Sequence, residues 1–184
     1  MAIDGLYVSG YFLNSDASML TSYEDELKEK GVCLKVRNLS NSLMQASFDF
    51  VDFEIIAITY EVLQQFFVSG GYDLTKYFFK KLWCDITKRS KFNIPFTISI
   101  EGIPTKNGTE TIKCKTLGYL SDEEKQKVID KTFSLAYQIE NHQYHLMEKD
   151  QYYDALNGHL FKYDSTDEEL HEMDIEAELK KKSE

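Results

Sequence analysis

The chain has 184 residues, 42% of them hydrophobic and 14% aromatic, with a formal net charge of −10. This length supports one sizeable core, and no run approaches the ~18 apolar residues that a membrane span needs. The first residues also lack the basic segment and apolar run of a secretion signal. We therefore expect a cytoplasmic protein with a single α+β domain over residues 1–150 and a tyrosine-rich, then acidic, appendage over residues 151–184.

Charge and cysteine usage indicate how charge is distributed along the chain and in which redox compartment the protein occurs. Residues 164–184 hold nine acids and three lysines, whereas residues 70–115 hold nine bases and four acids, so the two segments carry −6 and +5. Cys33, Cys84 and Cys114 form no CxxC pair and lie among apolar neighbours, which favours buried free thiols in a reducing compartment. Nineteen lysines accompany only two arginines. This usage is typical of an A+T-rich coding genome and suggests bacterial or phage origin.

The first part of the chain predicts alternating strands and helices. Apolar patterning predicts strands over residues 5–13 and 32–38, with a helix between them that Gly31 ends. A strand or extended edge follows at about 44–51. Apolar residues at helical spacing then predict a helix at about 54–69. The apolar positions of that helix are Ile56, Tyr60, Leu63 and Phe67.

The middle of the chain has stronger local signals. Gly70-Gly71 separates the previous helix from one predicted over residues 74–89. The strand PFTISIEG follows, and Asn107-Gly108 predicts a tight hairpin, with positive φ at both residues, into the strand TETIKCK. Ser121 to Glu124 form a capping box that begins a long helix. The apolar line of this helix is Val128, Thr132, Leu135 and Ile139.

The element order is therefore β-α-β-(β)-α-α-β-β-α, which predicts an α/β (α+β) fold class. The nearest common architecture is a ferredoxin-like mixed sheet with helices packed on it, followed here by an acidic helical tail at the carboxyl terminus.

One segment carries a family resemblance. The run EVLQQFFVSGGYDLTKYFFKKLW, residues 61–83, is followed by a strand, an Asn-Gly hairpin, a strand and a final helix. This arrangement, over roughly residues 5–141, resembles the effector-associated constant components, small ferredoxin-like modules beside effector domains in bacterial conflict and signalling systems. The resemblance implies an adaptor role with no catalytic residues to carry over, and it leaves the acidic segment unexplained.

The stretch NHQYHLMEKD, residues 141–150, raises the question of a metal. On a helix, His142, His145 and Glu148 would share one edge, a spacing that could hold zinc. His142 would nevertheless continue the apolar line into the core, and no HExxH motif or cysteine pair accompanies it, so a structural histidine is favoured. A metal-dependent enzyme or metal-binding protein stays the alternative, and we expect no cofactor.

A basic helix face is the candidate for nucleic-acid binding. Tyr77 and Trp83 lie close in sequence to this face and could stack on bases. A solvated helix face is favoured because the apolar residues of the same helix are needed for the core. We therefore do not expect nucleic acid to be a partner. The basic residues are Lys76, Lys80, Lys88, Arg89 and Lys91.

The acidic tail is the candidate for protein binding. Its spaced apolar residues predict one helix with an edge for a protein partner, and we expect truncation after Tyr163 to leave the domain stable. The leading hypothesis is a non-enzymatic interaction or adaptor module that acts in defence or counter-defence. A mimic of nucleic acid, built from the tail acids, is a further alternative. The apolar tail residues are Leu170, Met173, Ala177 and Leu179.

Overall fold

A computed structural model describes residues 3–9, 18–29, 31–37, 54–68, 70–89, 96–116 and 120–183. Within these ranges the chain has a mixed α/β fold with seven strands and six helices. None of these helices is long and apolar enough to cross a lipid bilayer. In chain order the elements are β1 (Ile3–Ser9), α1 (Ser18–Glu29), β2 (Val32–Arg37), β3 (Glu54–Thr59), α2 (Tyr60–Val68), α3 (Tyr72–Arg89), β4 (Phe96–Thr105), β5 (Gly108–Thr116), α4 (Asp122–Glu140), α5 (Gln151–Leu156), β6 (His159–Asp164), β7 (Glu169–Glu172) and α6 (Ile175–Ser183).

The described strands form one mixed sheet in the order β2-β1-β3-β4-β5-β6-β7. Strands β1 and β2, β3 and β4, and β5 and β6 are parallel pairs, whereas the other neighbours are antiparallel. Each parallel pair is joined through at least one helix, as parallel neighbours require.

Alternation along the strands gives the sheet two different faces. The first face carries the apolar core, to which α1, α2, α3 and α4 contribute, and the second face is the opposite one. On β4, for example, Ile98 and Ile100 point into the core, while Thr97 and Ser99 point to the second face. The helices of the core therefore cover one side of the sheet.

The helix predicted at about 54–69 is wrong over its first turn and a half. Residues Glu54–Thr59 form β3, between β1 and β4, and the helix begins only at Tyr60. Ile56 and Ile58 are both fully buried on one side of the sheet. Isoleucine favours strands because its branched side chain packs well on a pleated surface, and here tertiary pairing outweighs the helical spacing.

Several local predictions are confirmed. Ser121 Oγ accepts from the Glu124 amide at 3.2 Å and Glu124 Oε2 accepts from the Ser121 amide at 2.8 Å, which completes the capping box. The four residues of the predicted apolar line of α4 are all buried. The hairpin also forms, with Lys106 and Asn107 as the turn between the paired Thr105 and Gly108. The predicted positive φ at both Asn107 and Gly108 is wrong, because only Gly108 has one.

Other expectations have mixed outcomes. The predicted strand at about 44–51 lies outside the described residues, as do residues 10–13 of the first predicted strand. All three cysteines are free thiols, but only Cys114 is buried, while Cys33 and Cys84 are half-buried. Burial raises the pKa of the Cys114 thiol to about 12.

The carboxyl-terminal region continues the sheet. Strand β6 pairs with β5, and β7 pairs with β6, so residues 159–172 form the last two strands of the sheet. The prediction of one helix through Leu170 and Leu179 is wrong, because Leu170 lies in β7 and packs against the core, whereas Leu179 lies in α6. The sequence alternates too briefly in ELHE, residues 169–172, to indicate this strand.

Candidate functional site

A nearly buried polar cluster joins the last three strands. His159 on β6 lies between Glu110 on β5 and Glu172 on β7, and the side chains are 6%, 11% and 4% exposed. The distance from His159 Nδ1 to Glu172 Oε1 is 2.8 Å, a hydrogen-bond length. His159 Nε2 lies 3.6 Å from Glu110 Oε2. Both ring nitrogens therefore face a carboxylate.

The local backbone explains how His159 reaches this position. Strand register places His159 opposite Ile112, and Glu172 opposite Phe161, so the three polar side chains point to the core side at the end of the sheet. The turn before β6 has Asn157 in the left-handed region, with φ 54°. Gly158 follows with its backbone so close to Thr111 that a Cβ would lie 2.7 Å from the Thr111 carbonyl oxygen.

Two further side chains compensate the charge of Glu110. Tyr153 Oη donates to Glu110 Oε2 at 2.8 Å, and Lys149 Nζ lies 3.0 Å from the same oxygen. Burial alone would raise the pKa of Glu110, but the hydrogen bonds from Lys149 and Tyr153, with the nearby positive charge, outweigh it and hold that pKa below its usual value. Glu110 is therefore a carboxylate at neutral pH.

Tyr153 and Lys149 are themselves tuned by this contact. Burial, followed by the hydrogen bond to Glu110, raises the pKa of Tyr153, so its hydroxyl stays protonated as a donor. The hydrogen bond to Glu110 raises the pKa of Lys149, whose ammonium lies 4.3 Å from the centre of the Tyr153 ring. We call Glu110, Lys149, Tyr153, His159 and Glu172 the His159 cluster.

Glu172 fixes the path of the chain between α4 and α5. The Met147 amide donates to Glu172 Oε1 at 3.1 Å and to Oε2 at 3.0 Å. Tyr144 Oη approaches the same carboxylate at 3.5 Å. At the far end, Asp150 caps α5 by accepting from the amides of Tyr152 and Tyr153. Residues 145–150, which we call the connector, are thus held at several points although they have no regular secondary structure.

The connector lies beside two cavities. The first, about 550 Å³, lies against the β4–β5 hairpin and the end of α4, and the second, about 270 Å³, lies against β6, β7 and the start of α6. Met147, Glu148, Lys149 and His159 line both. Met147 is 50% exposed, so an apolar side chain projects at the surface between the two cavities.

The three candidate metal ligands lie along the first cavity. His142, His145 and Glu148 all line it and are all exposed. The expectation that His142 faces the core from a helix is wrong, because α4 ends at Glu140 and His142 has φ 56° in the turn that follows. Within the described part of the chain, no three His, Cys, Asp or Glu side chains are grouped to hold a metal ion.

The residues of the predicted basic face differ in their burial and in their ion pairs. Lys76 contacts Asp130 of α4 at 3.0 Å and Asp73 at 3.6 Å. Lys80 is half-buried on α3. Lys88 and Arg89 belong to the end of α3 but their side chains, like all of Lys91, lie outside the described residues.

The aromatic residues near that face do not form a stacking platform. Trp83 is 2% exposed and stacks on Phe96 with ring centres 4.0 Å apart, so it belongs to the core, whereas Tyr77 is 56% exposed.

The acidic tail folds back on its own chain. Lys127 of α4 contacts Glu168 at 2.6 Å, and Lys131 contacts Glu169. The lysines involved are on α4 and not in the basic segment 70–115 of the sequence. Exposed pairs of this kind contribute little individually, but they place the turn before β7 against α4.

The predicted partner-binding residues are spread over three settings. Leu170 packs on the core from β7. Met173 donates its amide to the Leu160 carbonyl at 2.8 Å and lines the second cavity. Ala177 and Leu179 are half-buried on α6. Their role in binding stays a prediction, and Met173 is the one that lies near the connector.

Sequence reasoning missed Glu110, His159 and Glu172 as a group. Their spacing has no motif, since strand pairing alone brings them together. The only local signal is Asn157-Gly158, a turn dipeptide directly before His159. No protein-family model, curated protein or solved structure matches the chain.

Proposed function

We propose that the protein is a non-enzymatic interaction module that binds a protein partner through the connector. The observation that carries this proposal is the way in which the connector is held. Five of its six residues are exposed, yet Met147 and Lys149 are tied to two nearly buried carboxylates. Irregular segments that a rigid scaffold fixes in place are disproportionately the parts of proteins that bind.

The surroundings of Met147 suit a partner segment. Its unbranched, polarisable side chain adapts to varied apolar surfaces, and cavities on both sides can receive side chains of the partner. Met173 lines the second cavity, so one of the four predicted partner-binding residues would contribute to the same surface. We expect the partner to lie across Met147, with one side chain in each cavity.

The chemistry of the His159 cluster supports binding over catalysis. Both oxygens of Glu172 accept from groups of the chain, and Lys149 and Tyr153 both contact Oε2 of Glu110. A general acid or base must reach the proton that it transfers, whereas these groups are occupied in holding the connector. We therefore assign the cluster a positioning role.

The proposal also includes a ferredoxin-like architecture and a biological role. The helix–Gly-Gly–helix passage from α2 to α3, followed by the β4–β5 hairpin and α4, resembles the ferredoxin-like effector-associated constant components. On that basis we propose an adaptor of bacterial or phage origin, acting in defence or counter-defence.

Site-specific photo-crosslinking tests the binding surface. A photoreactive residue is placed at position 147, and at position 77 as a matched control, because Tyr77 is also exposed but lies on α3. In cells of the native host, we expect a covalent adduct with one protein at position 147 and not at position 77. The purified pair should then bind, and Met147→Asp should weaken binding at least about tenfold, whereas Tyr77→Asp should not.

Two results would contradict the proposal. One is the same adduct pattern at both positions, which would indicate contact without a specific surface. The other is unchanged affinity of the purified partner for Met147→Asp.

A further inference from the structure

The second face of the sheet carries an unusual polar group. Thr97 and Ser99 on β4 point to this face, and strand register places Thr97 opposite Lys115 and Ser99 opposite Lys113 on β5. Directly opposed residues on neighbouring strands point to the same side of a sheet. Two hydroxyl–lysine pairs therefore lie next to one another at the centre of the sheet.

All four side chains are buried. Thr97 and Ser99 are fully buried, and Lys113 and Lys115 are 8% and 6% exposed. Lysine is almost never buried to this extent unless its charge is compensated, and each of these lysines already interacts with the chain. Two lysine side chains therefore lie beside the two hydroxyl groups in a region that is largely closed to solvent.

The hydroxyl groups are the part of this arrangement that calls for a ligand. Among the residues that the structure describes, neither Thr97 Oγ1 nor Ser99 Oγ has a hydrogen-bond partner, although both atoms are buried. A buried polar group without a partner costs on the order of 1–3 kcal/mol, and such groups are few in native proteins. Two of them on one face, each opposite a buried lysine, are donors without an acceptor.

We infer that this part of the second face binds an oxyanion, namely the phosphate or carboxylate group of a small molecule. The Thr97 and Ser99 hydroxyls donate to the anion, and Lys113 and Lys115 supply positive charge while they keep their own contacts. Hydrogen bonds to a charged acceptor are stronger than neutral ones. The inference is independent of the connector, which lies at the other end of β5.

Calorimetric titration of the full chain tests this site with two probes, inorganic phosphate and succinate, each at constant ionic strength. We expect saturable binding of at least one probe, and the probe that binds distinguishes a phosphate from a carboxylate ligand. Ser99→Ala should weaken binding about tenfold, the effect of losing one hydrogen bond to a charged group. Lys113→Met should weaken it as well, because a nearby positive charge is removed. Thr97→Val, which keeps the shape of the side chain, should weaken it also.

Lys106→Met is the matched control, because Lys106 is an exposed lysine of the same hairpin and lines the first cavity. Binding should be unchanged in this variant. If Lys113→Met does not fold, the two hydroxyl variants still decide the matter. The inference is overturned if neither probe binds saturably, if Ser99→Ala and Thr97→Val bind as the wild type does, or if Lys106→Met loses binding, which would locate the anion in the cavity.

Discussion

Glu110 stays charged in a nearly buried position because Lys149 and Tyr153 donate to the same carboxylate oxygen. An isolated carboxylate at this depth would be protonated in preference to losing its hydration. The charge of Glu110 is thus maintained by two residues that are distant from it in sequence and come after α4. Loss of either donor would weaken the attachment of the connector to β5.

The lowered pKa of Glu110 has a consequence for acid stability. Its folded-state pKa lies below the ordinary 4.5, so the stabilisation is complete well above pH 4.5 and is lost as the pH falls through the lower folded value. We predict that Glu110→Gln lowers the free energy of unfolding at neutral pH by roughly 1–3 kcal/mol. The difference from the wild type should shrink below pH 4.5. Urea unfolding across this range measures it, with exposed Glu24→Gln as a control that should follow the wild type.

Gly158 allows the chain to pass close to β5. Both Gly158 and Gly70 have positive φ, but only Gly158 has a backbone oxygen within 2.7 Å of where a Cβ would lie, whereas nothing lies within 4 Å at Gly70. We predict that Gly158→Ala costs about 1–3 kcal/mol more than Gly70→Ala, because the strand must shift to relieve the overlap. Chemical unfolding of both variants gives the difference. Equal losses would show that only backbone strain matters at Gly158.

At the scale of elements, β6 and β7 determine how the molecule ends. They carry His159 and Glu172, and they place Phe161 and Tyr163 in the core. Helix α6 follows them. None of its described residues belongs to that core cluster, although Ile175 is buried at the start of the helix. The two strands therefore matter more to stability than the helix after them.

Two truncations separate these contributions. Removal of all residues after Asp164 deletes β7 with Glu172 and the partners of Lys127 and Lys131, so we predict a melting temperature well below that of the full chain. Removal of residues after Asp174 keeps β7 and should lower the melting temperature much less. This expectation reverses the one from sequence alone. Equal melting of the first truncation and the full chain would show that β7 is dispensable.

At the scale of the whole molecule, the sequence predicts those features that depend on interactions between residues close together in the chain. Ser121 and Glu124 are three residues apart, and their reciprocal hydrogen bonds form within one helical turn, so the start of α4 was predictable. The class of the fold follows from such elements. Helical spacing predicts helices at residues 54–59 and at Leu170, but this spacing is ambiguous in short apolar runs. Only pairing with neighbouring strands decides their structure.

The candidate site could not be predicted from the sequence, because it also depends on strand pairing. His159 and Glu172 are 13 residues apart, and Glu110 is on a strand that precedes α4. No spacing along the chain predicts their contact, because it depends on the order of strands in the sheet. The sequence did indicate the neighbourhood, since His142, His145 and Glu148 line the first cavity, but it assigned them to a helix that ends before them.

Hydrogen exchange at the Met147 amide tests most directly the claim that the His159 cluster fixes the connector. Because this amide donates to both oxygens of the nearly buried Glu172, we predict exchange at least about tenfold slower than in the unfolded chain. In Glu172→Ala that protection should be lost, while the amide of Phe133 in the middle of α4 stays protected. Exchange of Met147 in the wild type at the unfolded-chain rate, or equal protection in Glu172→Ala, would contradict the account.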